Sequence, residues 1–80
     1  MNLIDYLYEY IIFEDIHGNV IKAYAMDYDD GSEMDEESRF YNNPFLILEN
    51  KKVIKNVNYD DYDLLPITDI KTIKIVEKSK

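Results

Sequence analysis

Two spacings of apolar residues divide the chain. Leu3, Ile4, Leu7, Tyr8 and Ile11 recur at i, i+1, i+4, i+5 and i+8, the stripe of a short amphipathic helix. With Asn2 as N-cap and Asp5 in the first turn, the spacing predicts a helix over 2–9. From Ile11 the period falls to two. Ile12 and Ile16 flank Glu14 on one face, while Ile11 and Phe13 share the other with Asp15. Beyond His17-Gly18-Asn19, Ile21, Ala23 and Ala25 alternate with Val20, Lys22, Tyr24 and Met26. Gly18 and Asn19 tolerate the positive φ of a tight turn, so 11–27 reads as a β-hairpin. The small Ala23 and Ala25 point to a strand that bends or receives a close neighbour.

The apolar period then stops. Residues 27–43, seventeen positions carrying Gly31 and Ser32 and ending before Pro44, read as a loop anchored at its far end by Phe40 and Tyr41. That exceeds the ~12–15 residues beyond which structureless connections are uncommon and usually functional or disordered. Phe45-Leu46-Ile47-Leu48 and Val53-Ile54-Lys55-Asn56-Val57, on either side of Glu49-Asn50-Lys51-Lys52, read as a second hairpin over 45–57. Closing strands follow over 64–76. Pro66 marks an edge or a bulge, because it cannot donate to a ladder; Thr68–Lys71 form a turn, and Ile73 and Ile75 face inward with Lys74 outward.

One helix followed by five or six short strands in a single domain, 1–80, predicts a mainly β fold. The expected architecture is a strongly bent antiparallel sheet or a small barrel, whose closure removes exposed edges. An α+β open sheet with the helix across one face uses the same elements.

Size adds a constraint. A chain of 80 residues buries only about 60 % of the surface its unfolded form exposes. Cores this small lean on disulfides, a metal or oligomerisation. There is no cysteine, so a homo-oligomer is expected. The lack of cysteine and of a basic, apolar leader predicts a cytoplasmic address, and no run approaches the ~18 apolar residues of a membrane span. A formal charge of −8 disfavours direct nucleic-acid binding, which depends on Lys and Arg displacing counterions from phosphates.

Most of that charge is concentrated. Asp27, Asp29, Asp30, Glu33, Asp35, Glu36 and Glu37 place seven carboxylates in eleven residues with no basic residue among them. Asp60, Asp61 and Asp63 form a second group. Tyr28, Tyr59 and Tyr62 stand among these acids, and tyrosine contributes area at interfaces while its hydroxyl stays wet. These thirteen residues are the candidate partner-binding surface. The competing reading is a solvated loop with its tyrosines folded back onto the sheet.

No motif for catalysis is present. Asp27-x-Asp29-Asp30-Gly31 is out of register for a calcium loop, since Gly31 falls at position 5 rather than 6 and Ser38 stands at 12 where a bidentate Glu is needed. His17, the sole histidine, lies in a turn and lacks co-ligands or a nucleophile to activate. No enzyme activity, cofactor or metal is expected.

A helix, strands around His17-Gly18-Asn19-Val20-Ile21-Lys22-Ala23, an acidic loop, an apolar hairpin and a closing Ile67-Thr68-Asp69-Ile70-Lys71-Thr72-Ile73-Lys74-Ile75 together resemble the Sm-like barrel, especially its small bacterial relatives. The resemblance covers nearly the whole chain. It implies a barrel that self-associates into rings. It does not carry over an RNA site: RNA-binding members have a basic turn before the last strand, where this chain has Thr68-Asp69-Ile70, and Ala23 stands near the place of their second glycine. The expectation is a small acidic, non-enzymatic protein-binding module that self-associates and presents acidic, Tyr-bearing loops to a basic protein partner. The alternative is a mimic of nucleic-acid phosphates that inhibits a basic nucleic-acid-binding protein, as phage anti-defence proteins do.

Overall fold

The computed structural model describes residues 1–59 and 61–76. Five antiparallel strands, β1 (Tyr10–Asp15), β2 (Val20–Asp29), β3 (Phe45–Lys55), β4 (Leu64–Pro66) and β5 (Ile70–Ile75), form one sheet in the order β4-β3-β2-β1-β5. The fold is mainly β, as the alternating pattern predicts. Ile11 and Phe13 of β1 and Ile21, Ala23 and Ala25 of β2 all point into the core. They meet Leu46, Leu48, Leu65, Tyr62 and Leu3 there. Three register shifts between β2 and β3 curve the sheet, and the small Ala23 and Ala25 are fully buried.

The sheet does not close into a barrel. β4 spans only Leu64–Pro66, Pro66 has no N–H to give, and the next N–H, that of Ile67, donates to Pro44 O at 2.8 Å. A 3-10 turn, Ile67–Asp69, then carries the chain across to β5 on the opposite edge. Pro66 therefore lies on an edge strand, and Ile75, expected inward, is exposed.

The helix expected over 2–9 is a single 3-10 turn, Leu3–Tyr6, capped by the Asn2 side chain, which accepts from Ile4 N at 3.1 Å. Sheet pairing competes successfully for the rest: Tyr8 N donates to Ala25 O at 2.8 Å and Ala25 N to Glu9 O at 3.0 Å. So short a helix is marginal by itself, and its residues 8 and 9 gain more by extending the β2 ladder. Leu3 is buried; Ile4 and Tyr8 are exposed.

The second hairpin is also replaced. Residues 45–55 form one uninterrupted strand because the ten residues of β2 offer pairing along its length. Glu49-Asn50-Lys51-Lys52 do not turn back. They hold a bulge in which Asn50 adopts φ 54°, between the pairs Tyr24↔Glu49 and Lys22↔Lys52. β2 likewise continues through Asp27, Tyr28 and Asp29, so the long connection begins at Asp30 rather than at Asp27.

Behind the β1–β2 turn lies a buried polar cluster. Asp15 and Asn19 are fully buried, and Tyr62 and Asp69 nearly so. Asp15 Oδ1 accepts from His17 N at 2.9 Å and Asn19 N at 2.8 Å, and Oδ2 accepts from Asn19 Nδ2 at 2.7 Å and the Tyr62 hydroxyl at 2.8 Å. Asn19 Oδ1 in turn accepts from Val57 N at 2.7 Å and Asn58 N at 2.9 Å, while Nδ2 donates to Asn58 O at 3.1 Å. Asn19 thus links the hairpin turn to the segment after β3. Burial opposes the Asp15 charge, but the hydrogen bonds from Asn19 and Tyr62, with those from the Asn19 and His17 amides, outweigh it and hold its pKa below the usual value. Burial, then the neighbouring Asp15, pushes the Tyr62 hydroxyl far up, so it stays a donor.

A carboxylate with a depressed folded pKa stabilises the protein above its unfolded pKa of about 3.9, and that contribution is lost as the pH falls through the folded value. Tyr62→Phe removes one of the donors, raising the Asp15 pKa toward its unfolded value. We expect a loss of about 1–3 kcal/mol at neutral pH and an acid-unfolding midpoint displaced to higher pH, both followed by circular dichroism. An unchanged acid midpoint would show that Tyr62 does not support the Asp15 charge.

Candidate functional site

The acidic connection between β2 and β3 is tightly folded, and its aspartates fold it. Asp29 Oδ1 accepts from Gly31 N at 2.7 Å, Asp30 Oδ1 from Ser32 N at 2.9 Å, and Asp35 Oδ1 from Glu37 N at 3.0 Å. Asp27 Oδ1 accepts from Tyr28 N at 2.8 Å. A short carboxylate reaching the amide two residues on is the ordinary turn chemistry of aspartate. The Ser32 amide and then its hydroxyl lower the pKa of Asp30. Glutamate is one methylene longer and does not make this contact: Glu33, Glu36 and Glu37 are exposed, and their carboxylates have no hydrogen bond or ion pair among the described residues.

The loop is also fastened at its far end. Phe40 packs on Phe45 with ring centroids 5.0 Å apart, and Arg39 lies 5.4 Å above the Phe40 ring. Arg39 also pairs with Asp69 at 2.6 Å, and Asn43 Nδ2 donates to Thr68 Oγ1 at 3.0 Å. Backbone bonds from Asn42 N to Gly31 O at 2.9 Å and from Ser38 N to Asp35 O at 2.8 Å close it internally.

The second acidic group behaves differently. Lys51 of β3 reaches both Asp61 and Asp63, the latter at 2.6 Å, and the Tyr59 hydroxyl donates to Asp61 at 3.0 Å. Partial burial opposes the Lys51 charge, yet its bonds to Asp61 and Asp63 raise its pKa. The bond from Lys51, and then that from Tyr59, lowers Asp61. Asp60 lies outside the described residues.

Of the thirteen candidate residues, then, Glu33, Glu36 and Glu37 project freely, Asp27, Asp29, Asp30 and Asp35 are exposed but engaged by local amides, and Asp61 and Asp63 share the single cation of Lys51. The tyrosines do not stand out as contact residues. Tyr62 belongs to the core, and Tyr28 and Tyr59 are half-buried against it. An aromatic ring next to a curved sheet gains more by packing on it than by remaining in water. Their place is that of the folded-back tyrosines in the competing sequence reading.

The outer face of the sheet carries a feature that the charge pattern along the chain hides. Ile12 is paired with Lys22 on one side and Lys74 on the other, and Lys22 is paired with Lys52. Directly opposed residues share a face, so Lys74, Ile12, Lys22 and Lys52 form one row, with Lys55 in the next row opposite Val20. These lysines come from three strands far apart in the chain, and only the pairing register assembles them.

No group of His, Asp and Glu side chains suited to a metal ion occurs among the described residues, and no described helix is long and apolar enough to cross a membrane. The chain matches no protein-family model, no curated protein and no solved structure.

Gly31 is the pivot of the acidic loop. It adopts φ 79°, and a Cβ there would lie 2.2 Å from Phe40 O and 2.8 Å from Asn43 N. At Gly18, with φ 90°, a Cβ would meet only Val57 Cγ2 at 3.6 Å. We expect Gly31→Ala to cost more than about 2 kcal/mol and Gly18→Ala about 1–2 kcal/mol, as read from urea unfolding. Equal losses would show that the loop yields without resisting.

Proposed function

We propose that the protein is a small acidic, non-enzymatic binding module whose β2–β3 loop presents carboxylates to a basic protein surface. The observation that carries this reading is the division of labour within the loop. The aspartates and Arg39 hold the backbone, and Glu33, Glu36 and Glu37 remain unpaired and exposed. Charges held on a fixed frame lose less entropy on binding than charges on a mobile tail.

Self-association is part of the proposal. The sheet has two edges, β4 and β5, and an unpaired edge is a template for another strand. We also propose a kinship to the Sm-like barrel, which a bent five-stranded sheet and a 3-10 turn before the last strand would fit. At the turn where RNA-binding relatives are basic, Asp69 is buried and paired with Arg39, which favours a protein partner over RNA.

The mimic reading draws on the same three glutamates, whose carboxylates have no cationic partner among the described residues. The two differ in competition: a phosphate mimic is displaced from its partner by DNA or RNA, and a module that recognises another basic surface is not.

The triple variant Glu33→Gln, Glu36→Gln, Glu37→Gln tests the loop. It should keep the stability of the parent, since none of the three holds a structural contact, and should fail to retain basic partners recovered from a lysate by the parent at low salt. Undiminished recovery would remove the loop from recognition.

A further inference from the structure

The lysine row and the glutamates of the acidic loop are complementary surfaces on one chain, and neither has an ionic partner among the described residues. Lys22, Lys52, Lys55 and Lys74 have no ion pair or hydrogen bond from their ammonium groups among the described residues. The cations that are used, Arg39, Lys51 and Lys71, pair with Asp69, with Asp61 and Asp63, and with Glu14 respectively. Five steps along β2 separate Lys22 from Asp27, a contour of roughly 16 Å, and Glu33, Glu36 and Glu37 lie further along the chain. The screening length at physiological ionic strength is about 8 Å. The loop is itself tied at Arg39 and Asn43 to the turn between β4 and β5.

The row is not only charged. Beside it runs a groove of about 330 Å³, lined by Ile12, Val20, Thr72 and Lys74 among others. Glu14, also in its lining, is already engaged by Lys71 at 3.4 Å. An incoming acidic segment there meets the unpaired ammonium group of Lys74 beside the apolar side chains of Ile12 and Val20. Each copy carries a formal charge of −8, so association between copies has to come from local complementarity, and the unpaired glutamates of the loop are the local complement of the lysine row.

We propose that the lysine row on the outer face of the sheet docks the acidic loop of a second copy, placing Glu33, Glu36 and Glu37 of one copy against Lys22, Lys52 and Lys74 of the next. This rests on the reading of the loop as a recognition surface and names the partner of that surface. Two copies that exchange loops reciprocally form a two-fold, isologous pair, and copies that dock head to tail make a heterologous contact that closes into a ring or continues as a filament.

The test is a charge swap followed by light scattering on the full chain at low and high salt. The parent should run at a multiple of its 9.6 kDa at low salt and lose mass as salt rises. Lys22→Glu, Lys52→Glu, Lys74→Glu in one variant and Glu33→Lys, Glu36→Lys, Glu37→Lys in another should each give the monomer mass. Their equimolar mixture should regain association, because each then supplies the complement of the other. Circular dichroism checks the fold; were a reversal variant unfolded, its Gln counterpart replaces it and should lower the mass likewise. A parent that is monomeric at every salt overturns the proposal. So does an assembly that survives row reversal: if it also depends on the loop, the loop still recognises something and the row does not, and if it depends on neither, association runs through the strand edges. Dissociation of the parent by DNA with formation of a DNA complex would assign the row to nucleic acid and overturn it too.

Discussion

A carboxylate without access to water must be hydrogen-bonded on nearly every lone pair or it destabilises the fold. Asp15 meets that demand, and in meeting it fixes the rest of the molecule. Its four partners are the amides of His17 and Asn19, the Asn19 side chain and the Tyr62 hydroxyl. The turn between β1 and β2 takes its shape from the first two. Asn19 passes the constraint to Val57 and Asn58 after β3. Tyr62 passes it to Asp69 at 3.2 Å, and Asp69 to Arg39 at 2.6 Å in the acidic loop. One contiguous polar path therefore runs from the first hairpin to the loop that carries the free glutamates.

The path also explains how so acidic a chain of 80 residues keeps an ordered loop. Seven carboxylates in one segment repel one another, and without anchors the segment would extend into solvent. The aspartates convert part of that charge into turn-forming hydrogen bonds, and Arg39 is both ion-paired to Asp69 and stacked over Phe40. The glutamates, one methylene longer, are left outside this arrangement. Carboxylates of the two types thus have separate tasks: one builds the frame and the other is displayed on it.

The sheet, in contrast, collects positive charge. A chain whose acids are grouped in two connections leaves its lysines for the strands, and antiparallel pairing brings Lys22, Lys52 and Lys74 into line around Ile12. The result is a molecule polarised between its loop and its outer face although its net charge is strongly negative. Such a distribution sets how copies or partners orient on approach more than it sets the strength of the final contact.

Alternation alone sorted β1 and β2 into faces, setting Ile11 and Phe13 apart from Ile12 and setting Ile21, Ala23 and Ala25 apart from Val20, Lys22 and Tyr24, because successive residues of a strand point to opposite sides of the pleat. The fold decided which face is buried and set Ile11 opposite Ala23 and Phe13 opposite Ile21. Pro66 declared its edge and Asn2 its cap for equally local reasons, a missing donor and a short acceptor. The Asp-rich loop was recognisable as the distinctive segment, and the difference in length between Asp and Glu was the available sign of which acids would be free. Local pattern misled where a distant partner intervened. Glu49-Asn50-Lys51-Lys52 has the composition of a turn, yet β2 extends the strand through it and Asp61 and Asp63 hold Lys51; the helix expected over 2–9 gives way to pairing with Ala25; Tyr62 is drawn from an acidic stretch into the core by Asp15. The lysine row was invisible in one dimension for the same reason. Periodicity is a property of neighbours in the chain, whereas pairing register and the neutralisation of buried charge join residues tens of positions apart, and only the folded sheet brings those together.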